Sequence, residues 1–175
     1  MPENKKIFFY VYLVSSLCFI VFLNSRCHVS YNLRDVSIPA DVKTVKVNFI
    51  ENRARYVNPQ LSPKLTDKLR QKIVGQTRIT QTNNDNADWE ISGSVTDYSL
   101  STSGISQQQS SINRLNVSVH ITLFKRKEND QKEFDVSHSF DFPASQTLQA
   151  AEADLTVKII RDMTDEIFNH IFSDW

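Results

Sequence analysis

The feature that most restricts the possible folds of this chain is the stretch Ile38 to Ile73, which carries signals for a strand, a break and a helix in direct succession. Val45, Val47 and Phe49 alternate with Lys46 and Asn48, the period-two pattern of a strand with one buried face. Asn58-Pro59 interrupts the chain, because the residue before a proline is pushed out of the helical region. Ser62 then stands where a helix N-cap belongs, and Pro63 at the first helical position, where a missing N–H costs nothing. Leu61, Leu65, Leu69 and Ile73 follow at a spacing of four, which lays them along one helical face. Gly75 is the expected stop, as a residue free to take the left-handed cap conformation. A strand feeding a helix, with more strands behind it, builds a two-layer domain around one core.

The strands behind it are legible. Thr77 to Thr82 reads as a short strand, and Asn83 to Asn86 as a turn. Trp89, Ile91 and Val95 share one face of a strand that runs to Leu100, and Gly93 within it marks a bulge or a close approach by the helix layer. Ser101 to Ser111, STSGISQQQSS, has few apolar anchors and reads as a mobile hairpin connection. Leu115, Val117, Val119, Ile121 and Leu123 alternate with polar residues along the next strand. Lys125 to Asp130 is a charged turn, and Phe134, Val136, Phe140 and Phe142 mark the return strand, ended by Pro143. Leu155, Ile159, Met163, Ile167 and Ile171 place a final helix over 148–172. The expected fold class is α+β: an approximately four-stranded mixed or antiparallel sheet with two helices packed on one face, following an N-terminal lipoprotein-type signal segment. The first strand, helix and next strand should form a right-handed crossover.

The N-terminus reads as an export signal. Lys5 and Lys6 precede an apolar run from Ile7 to Leu23, interrupted only by Ser15 and Ser16, which suits a signal-peptide core better than a membrane span. Cys27 stands where a lipoprotein signal places its acylated cysteine, although Arg26 departs from the small residue usual before it. The alternatives are an uncleaved N-terminal anchor and a secreted protein with an incidental cysteine. The expected division is 1–26 signal peptide, 27–41 lipidated tether and 42–175 folded domain. Cys18 lies in the apolar run, so the folded body has no disulfide framework and no thiolate metal site.

Chemistry-bearing patterns are scarce. Three glycines are too few and too scattered for a phosphate loop, and no Gly-x-Ser-x-Gly turn occurs. His120 and His138 fall on adjacent strands, where two sheet-surface histidines are the ordinary reading and a metal pair the rarer one. No cofactor, no metal and no enzyme activity are expected. Without its first 27 residues, which hold Lys5, Lys6 and Arg26 against Glu3, the chain keeps 17 of its 20 basic and 19 of its 20 acidic side chains. That balance does not suit nucleic acid, so no nucleic-acid partner is expected. Arg53 and Arg55, beyond the first strand, are the candidate contacts for lipid phosphate, which the planar guanidinium binds bidentately.

Many ordinary residues in a particular order carry a resemblance. Ile38-Pro39, Asp41 to Val45, Asn52-Arg53-Ala54, Val57-Asn58-Pro59, Leu61-Ser62, Gln76-Thr77-Arg78 and Asn113-Arg114-Leu115 together resemble the LPS-assembly lipoprotein family, LptE, in its Bacteroidetes-type branch. The resemblance covers nearly all of the mature chain. It implies an outer-membrane lipoprotein held in the inner leaflet by acyl chains on Cys27. It also implies two partners: an LptD-like outer-membrane β-barrel, which it plugs and helps to assemble, and LPS, through lipid A and core. With no acidic residue in His28 to Asn32, the resemblance favours a periplasm-facing location. The stretch containing Ser101, Ser103, Ile105, Gln107, Gln108 and Gln109 is the candidate partner loop. The competing reading is a periplasm-facing envelope lipoprotein that binds a small ligand or another envelope protein.

Overall fold

A computed structural model describes residues 38–106 and 109–173; for 102–106 and 109–111 it describes the backbone alone. The expected signal segment, Cys27 and the tether up to residue 37 lie outside the described residues, as do Gln107 and Gln108. In chain order the elements are β1 (Thr44–Val47), β2 (Glu51–Asn52), α1 (Leu61–Gln76), β3 (Thr80–Gln81), β4 (Trp89–Ser106), β5 (Gln109–Lys125), β6 (Asp130–Pro143) and α2 (Leu148–Phe172). One mixed sheet runs β3-β1-β4-β5-β6, with β2 beside β4 just past the end of β1. β1 is parallel to both β3 and β4, whereas β4, β5 and β6 form an antiparallel meander. The α+β architecture is the expected one. Four longer strands are joined by β2 and β3, each only two residues long.

Alternation explains the layering. Leu115, Val117, Val119, Ile121 and Leu123 of β5 are all buried, together with Trp89, Ile91, Val95 and Tyr98 of β4 and Val136, Phe140 and Phe142 of β6. Against this face α1 sets Leu61, Leu65, Leu69 and Ile73, and α2 sets Ile159, Met163, Ile167 and Ile171 with Phe168 and Phe172. Both helices therefore contribute to one core, as their spacing-of-four stripes predict. Thr147 caps α2 by accepting the Ala150 N–H at 3.3 Å. The opposite face of the sheet carries Ser118, Ser137, Asn116 and Ser139, which hydrogen-bond across strands at 2.8 Å.

Several boundaries differ from expectation. Phe49 does not continue the buried row: it is 52% exposed, and Ile50 is fully buried instead. β1 ends at Val47, and the Ile50 N–H turns inward to the Thr66 hydroxyl at 3.0 Å, so the period-two phase is lost. Ser62 does not cap α1. The helix starts at Leu61, and Gln60 occupies the cap position without a side-chain bond. Asn58 turns the chain instead, its Oδ1 accepting the Gln60 N–H at 2.9 Å. Pro63 is then the third helical residue, still within the turn whose N–H groups lack helical partners. Gly75 does not stop the helix, and no glycine among the described residues has positive φ. Thr77 stops it in extended conformation, donating both its N–H (3.0 Å) and its hydroxyl (2.7 Å) to the Ile73 carbonyl.

Gly93 marks a close approach, but by the neighbouring strand rather than the helix layer. A Cβ there would lie 2.5 Å from the His120 carbonyl oxygen and 2.7 Å from Ile121 Cδ1. The bulge falls two residues later, between Val95 and Asp97. Because backbone cannot move aside cheaply, Gly93→Ala is expected to destabilise the fold by roughly 2 kcal/mol. Urea unfolding of the full chain checks this, and an unchanged midpoint would contradict the approach.

Candidate functional site

The two candidate arginines sit on the loop between β2 and α1, and the structure separates their roles. The Arg53 N–H donates to the Val95 carbonyl at 2.9 Å, and Asn52 Oδ1 accepts the Ala54 N–H at 3.1 Å. The first bond clips the loop to β4, and the second turns the loop on itself. The Arg53 guanidinium is 70% exposed and holds Glu51, through Nε at 3.0 Å and Nη2 at 2.8 Å. Arg55 is exposed and pairs with no carboxylate among the described residues. An anion therefore meets an uncommitted cation at Arg55, and at Arg53 must displace a carboxylate.

Arg53 also borders a cleft of about 370 Å³ on the open sheet face, with Phe49, Glu51, Ser92, His120 and Thr122. Exposed Phe49 supplies an apolar wall. His120 Nδ1 lies 2.9 Å from Asp135 Oδ1, and its Nε2 lies 3.7 Å from Glu133. His138 belongs to the other face, against Glu166 of α2. The two histidines paired by strand adjacency are thus separated by the thickness of the sheet. No cluster of three or more histidine, cysteine or acidic residues fit to hold a metal occurs among the described residues.

What holds the arginine loop in place is a buried polar junction that the residue pattern alone does not reveal. Asn58 Nδ2 donates to the Tyr98 hydroxyl at 3.3 Å and to Glu152 Oε1 at 3.0 Å. Tyr98 donates to the same Glu152 oxygen at 2.8 Å, and Tyr56 stacks on Tyr98 with centroids 5.6 Å apart. Burial, with the Glu152 carboxylate beside it, raises the Tyr98 pKa well above the ordinary phenol value. The hydroxyl therefore remains a donor at neutral pH. Loop, β4 and the first turns of α2 meet here. The only sequence signal was Asn58-Pro59, which reads as a break and not as a junction.

The stretch expected as a mobile connection is paired strand. Ser101 opposes Arg114, Thr102 opposes Asn113, Gly104 opposes Ile112, Ile105 opposes Ser110 and Ser106 opposes Gln109. β6 stops pairing at Ile112–Pro143, and β2 pairs no further along β4 than Val95. The ends of β4 and β5 therefore continue as a two-stranded ribbon past the rest of the sheet. Ile105 and Gln109 lie on this ribbon, whose pairs are Ile105–Ser110 and Ser106–Gln109, whereas Ser101 and Ser103 lie on β4 where β6 still pairs beyond β5.

The family model described as "LptE: Lipopolysaccharide-assembly" matches residues 42–171, nearly the whole folded body. The chain belongs to the LptE family. Membership assigns it to lipopolysaccharide assembly, within a family of non-enzymatic outer-membrane lipoproteins. No curated protein matches the chain. Among solved structures, lipoprotein B from Nitrosomonas europaea is similar with TM-score 0.51 and 14% identity, covering 79% of this chain and 83% of that one. Protein CT253 from Chlamydia trachomatis is similar with TM-score 0.50 and 7% identity, over 75% of this chain and 99% of that one. A putative neuraminyllactose-binding hemagglutinin homolog from Helicobacter pylori gives TM-score 0.50 and 9% identity, over 79% and 84%. At such identities the likeness concerns the fold. No helix among the described residues is long and apolar enough to cross a membrane.

Proposed function

We propose that this LptE-family chain is the lipoprotein subunit of an outer-membrane LPS translocon. Residues 1–26 direct export, acylated Cys27 and the tether to residue 41 anchor the chain in the inner leaflet facing the periplasm, and residues 42–175 form the working body. The body occupies the lumen of an LptD-like β-barrel, aids its assembly, and helps LPS reach the cell surface. The observation that carries this reading is the family match over residues 42–171. The β4–β5 ribbon supports it, because a projecting ribbon reaches a partner without unfolding the core. Arg55, and Arg53 on release from Glu51, would take the lipid phosphates.

An affinity pull-down of the C-terminally tagged chain from detergent-solubilised envelopes tests the partner. A barrel in near-stoichiometric yield is the expected result, and bait without barrel, where other barrel complexes survive, overturns it. Arg55→Glu is expected to weaken LPS binding about tenfold, roughly 1.4 kcal/mol, and Arg53→Glu less, since Arg53 already holds a carboxylate. Equal affinity of both variants and the parent removes the arginines from the site. Deleting 102–111 is expected to abolish co-purification of the barrel while leaving the melting temperature within a few degrees. A second reading, an envelope lipoprotein for a small ligand, draws on the cleft beside Arg53 and His120. A bound small molecule recovered from the purified chain, with no barrel present, would favour it.

A further inference from the structure

The outer edge of the sheet is a long strand without a neighbour among the described residues. β6 is an edge strand of 14 residues, about 46 Å of extended chain. It pairs with β5 in one unbroken register from Ile112–Pro143 to Lys125–Asp130, whereas the β4–β5 ladder has three register shifts. Folded proteins usually blunt such an edge with a bulge, a proline, charged side chains or a covering segment, and of these β6 carries the charges Asp130, Lys132, Glu133, Asp135 and Asp141. β6 has no bulge, and its only proline is terminal Pro143. Among the described residues no element pairs with its outer side. Every second residue of an antiparallel strand turns its N–H and C=O to the same side, so about seven residues present unpaired backbone groups there.

The side chains on the two faces of β6 indicate what fits. On the open face Glu133, Asp135 and Asp141 share a row. Arg114 neutralises Asp141 from β5, with Nε at 2.6 Å and Nη2 at 2.9 Å. Glu133 accepts the Gln131 side-chain amide at 2.6 Å, and Glu133 and Asp135 share only His120 as a nearby titratable base and remain 50% and 69% exposed. On the helix-facing side the row is Lys132, Phe134, Val136, His138, Phe140 and Phe142, with Lys132 exposed at its end and Phe134 left partly buried. Two copies joined edge to edge about a twofold run antiparallel and set Glu133 and Asp135 of each near positions 139–141 of the other, which supply no cation to them. A strand with basic side chains toward the open face and apolar ones toward the helices satisfies both rows.

We infer that β6 is a docking edge for an extended partner segment that alternates basic and apolar residues. The acidic row selects the cationic strand over a second copy, which brings no cation to Glu133 and Asp135, while the backbone ladder supplies the general affinity. This surface meets the cleft beside Arg53 only through His120, and it does not depend on the translocon reading.

The test uses the full chain and a twelve-residue peptide of alternating lysine and valine, followed by titration and by hydrogen exchange read by mass spectrometry. The expected result is saturable binding with slowed exchange confined to 130–143. Glu133→Lys/Asp135→Lys, both solvent-facing, is expected to weaken binding at least tenfold at unchanged melting temperature. A Glu-Val peptide is expected not to bind, and neither is the Lys-Val peptide with every amide nitrogen methylated. Undiminished binding of the methylated peptide would reduce the effect to charge attraction and overturn strand addition. Absence of binding, or protection away from β6, also overturns it. So does concentration-dependent self-association that protects β6 without peptide.

Discussion

Phe168→Ala is expected to cost about 3–5 kcal/mol, the range for removing a buried aromatic ring and leaving a cavity. Phe168 has no solvent exposure. Its ring lies 4.7 Å from Phe172, whose ring in turn lies 5.8 Å from Trp89 of β4. Lys72 of α1 places its ammonium 5.0 Å from the Phe168 centroid and pairs with Asp165 of α2, so the ring also packs beneath the bridge between the helices. Little around it can collapse into the space, because its contacts tie it to α1, to its own helix and, through Phe172, to β4. Phe168→Leu, which keeps most of the volume, is expected to lose less than half as much. Equilibrium urea unfolding of both variants checks the pair. A loss below 1 kcal/mol for the alanine variant would mean that α2 does not sit on the sheet as described. The consequence reaches the arginine loop, since α2 carries Glu152 to Asn58 and Tyr98. A loosened α2 is therefore expected to free that loop before the meander melts.

The meander was the most legible part of the chain. Along β5 every second residue from Leu115 to Leu123 is apolar and buried, because one face meets helices and the other faces outward, so burial and sequence share one period. α2 was legible for the same reason at the helical period, its spacing-of-four stripe running unbroken to Ile171. Failures cluster where a local bond overrides periodicity. At Ile50 a single bond to Thr66 shifts the phase that Phe49 would have continued. At the start of α1 several cap-forming residues stand close together, and Asn58 rather than Ser62 turns the chain. At Ser101–Ser111 polar composition suggested a connection, but backbone pairing between the two strands does not require apolar side chains. Of the candidate site, the arginines were visible as residue types. Their partners were not: Glu51 sits only two positions from Arg53, but whether it reaches the guanidinium depends on how the loop bends. The cleft draws on β4 and β5, and the Asn58 junction spans 94 positions to Glu152. No one-dimensional pattern carries such distances.

Asp88→Ala is expected to destabilise the fold by roughly 3 kcal/mol, since several hydrogen bonds to one charged group are lost together. Asp88 Oδ2 accepts the Lys43 N–H at 2.9 Å, the Thr44 N–H at 3.0 Å and the Thr44 hydroxyl at 3.0 Å. Its own N–H donates back to Thr44 Oγ1 at 3.0 Å, and Lys127 lies 3.2 Å from Oδ1. One carboxylate thus fastens the first residues of β1 to the entry of β4 and to the turn after β5. The Lys43 N–H bond, joined by the Thr44 bonds and Lys127, holds its pKa far below the usual carboxylate range. The pH dependence follows from that direction. Unfolded, the group takes up a proton near pH 3.9; folded, it does so only at a lower pH. Its contribution is fully present above the unfolded value and is lost as pH falls through the folded value, because in that window the unfolded chain binds more protons. The parent protein should therefore lose stability steeply between about pH 4 and pH 2, whereas Asp88→Ala should start lower and fall less. Asp88→Asn keeps an acceptor oxygen but not the charge, so it should fall between the two at neutral pH and share the flatter acid limb. Chemical denaturation at several pH values measures all three. Parallel acid limbs for parent and Asp88→Asn would move the titrating group elsewhere and leave Asp88 as a neutral clasp.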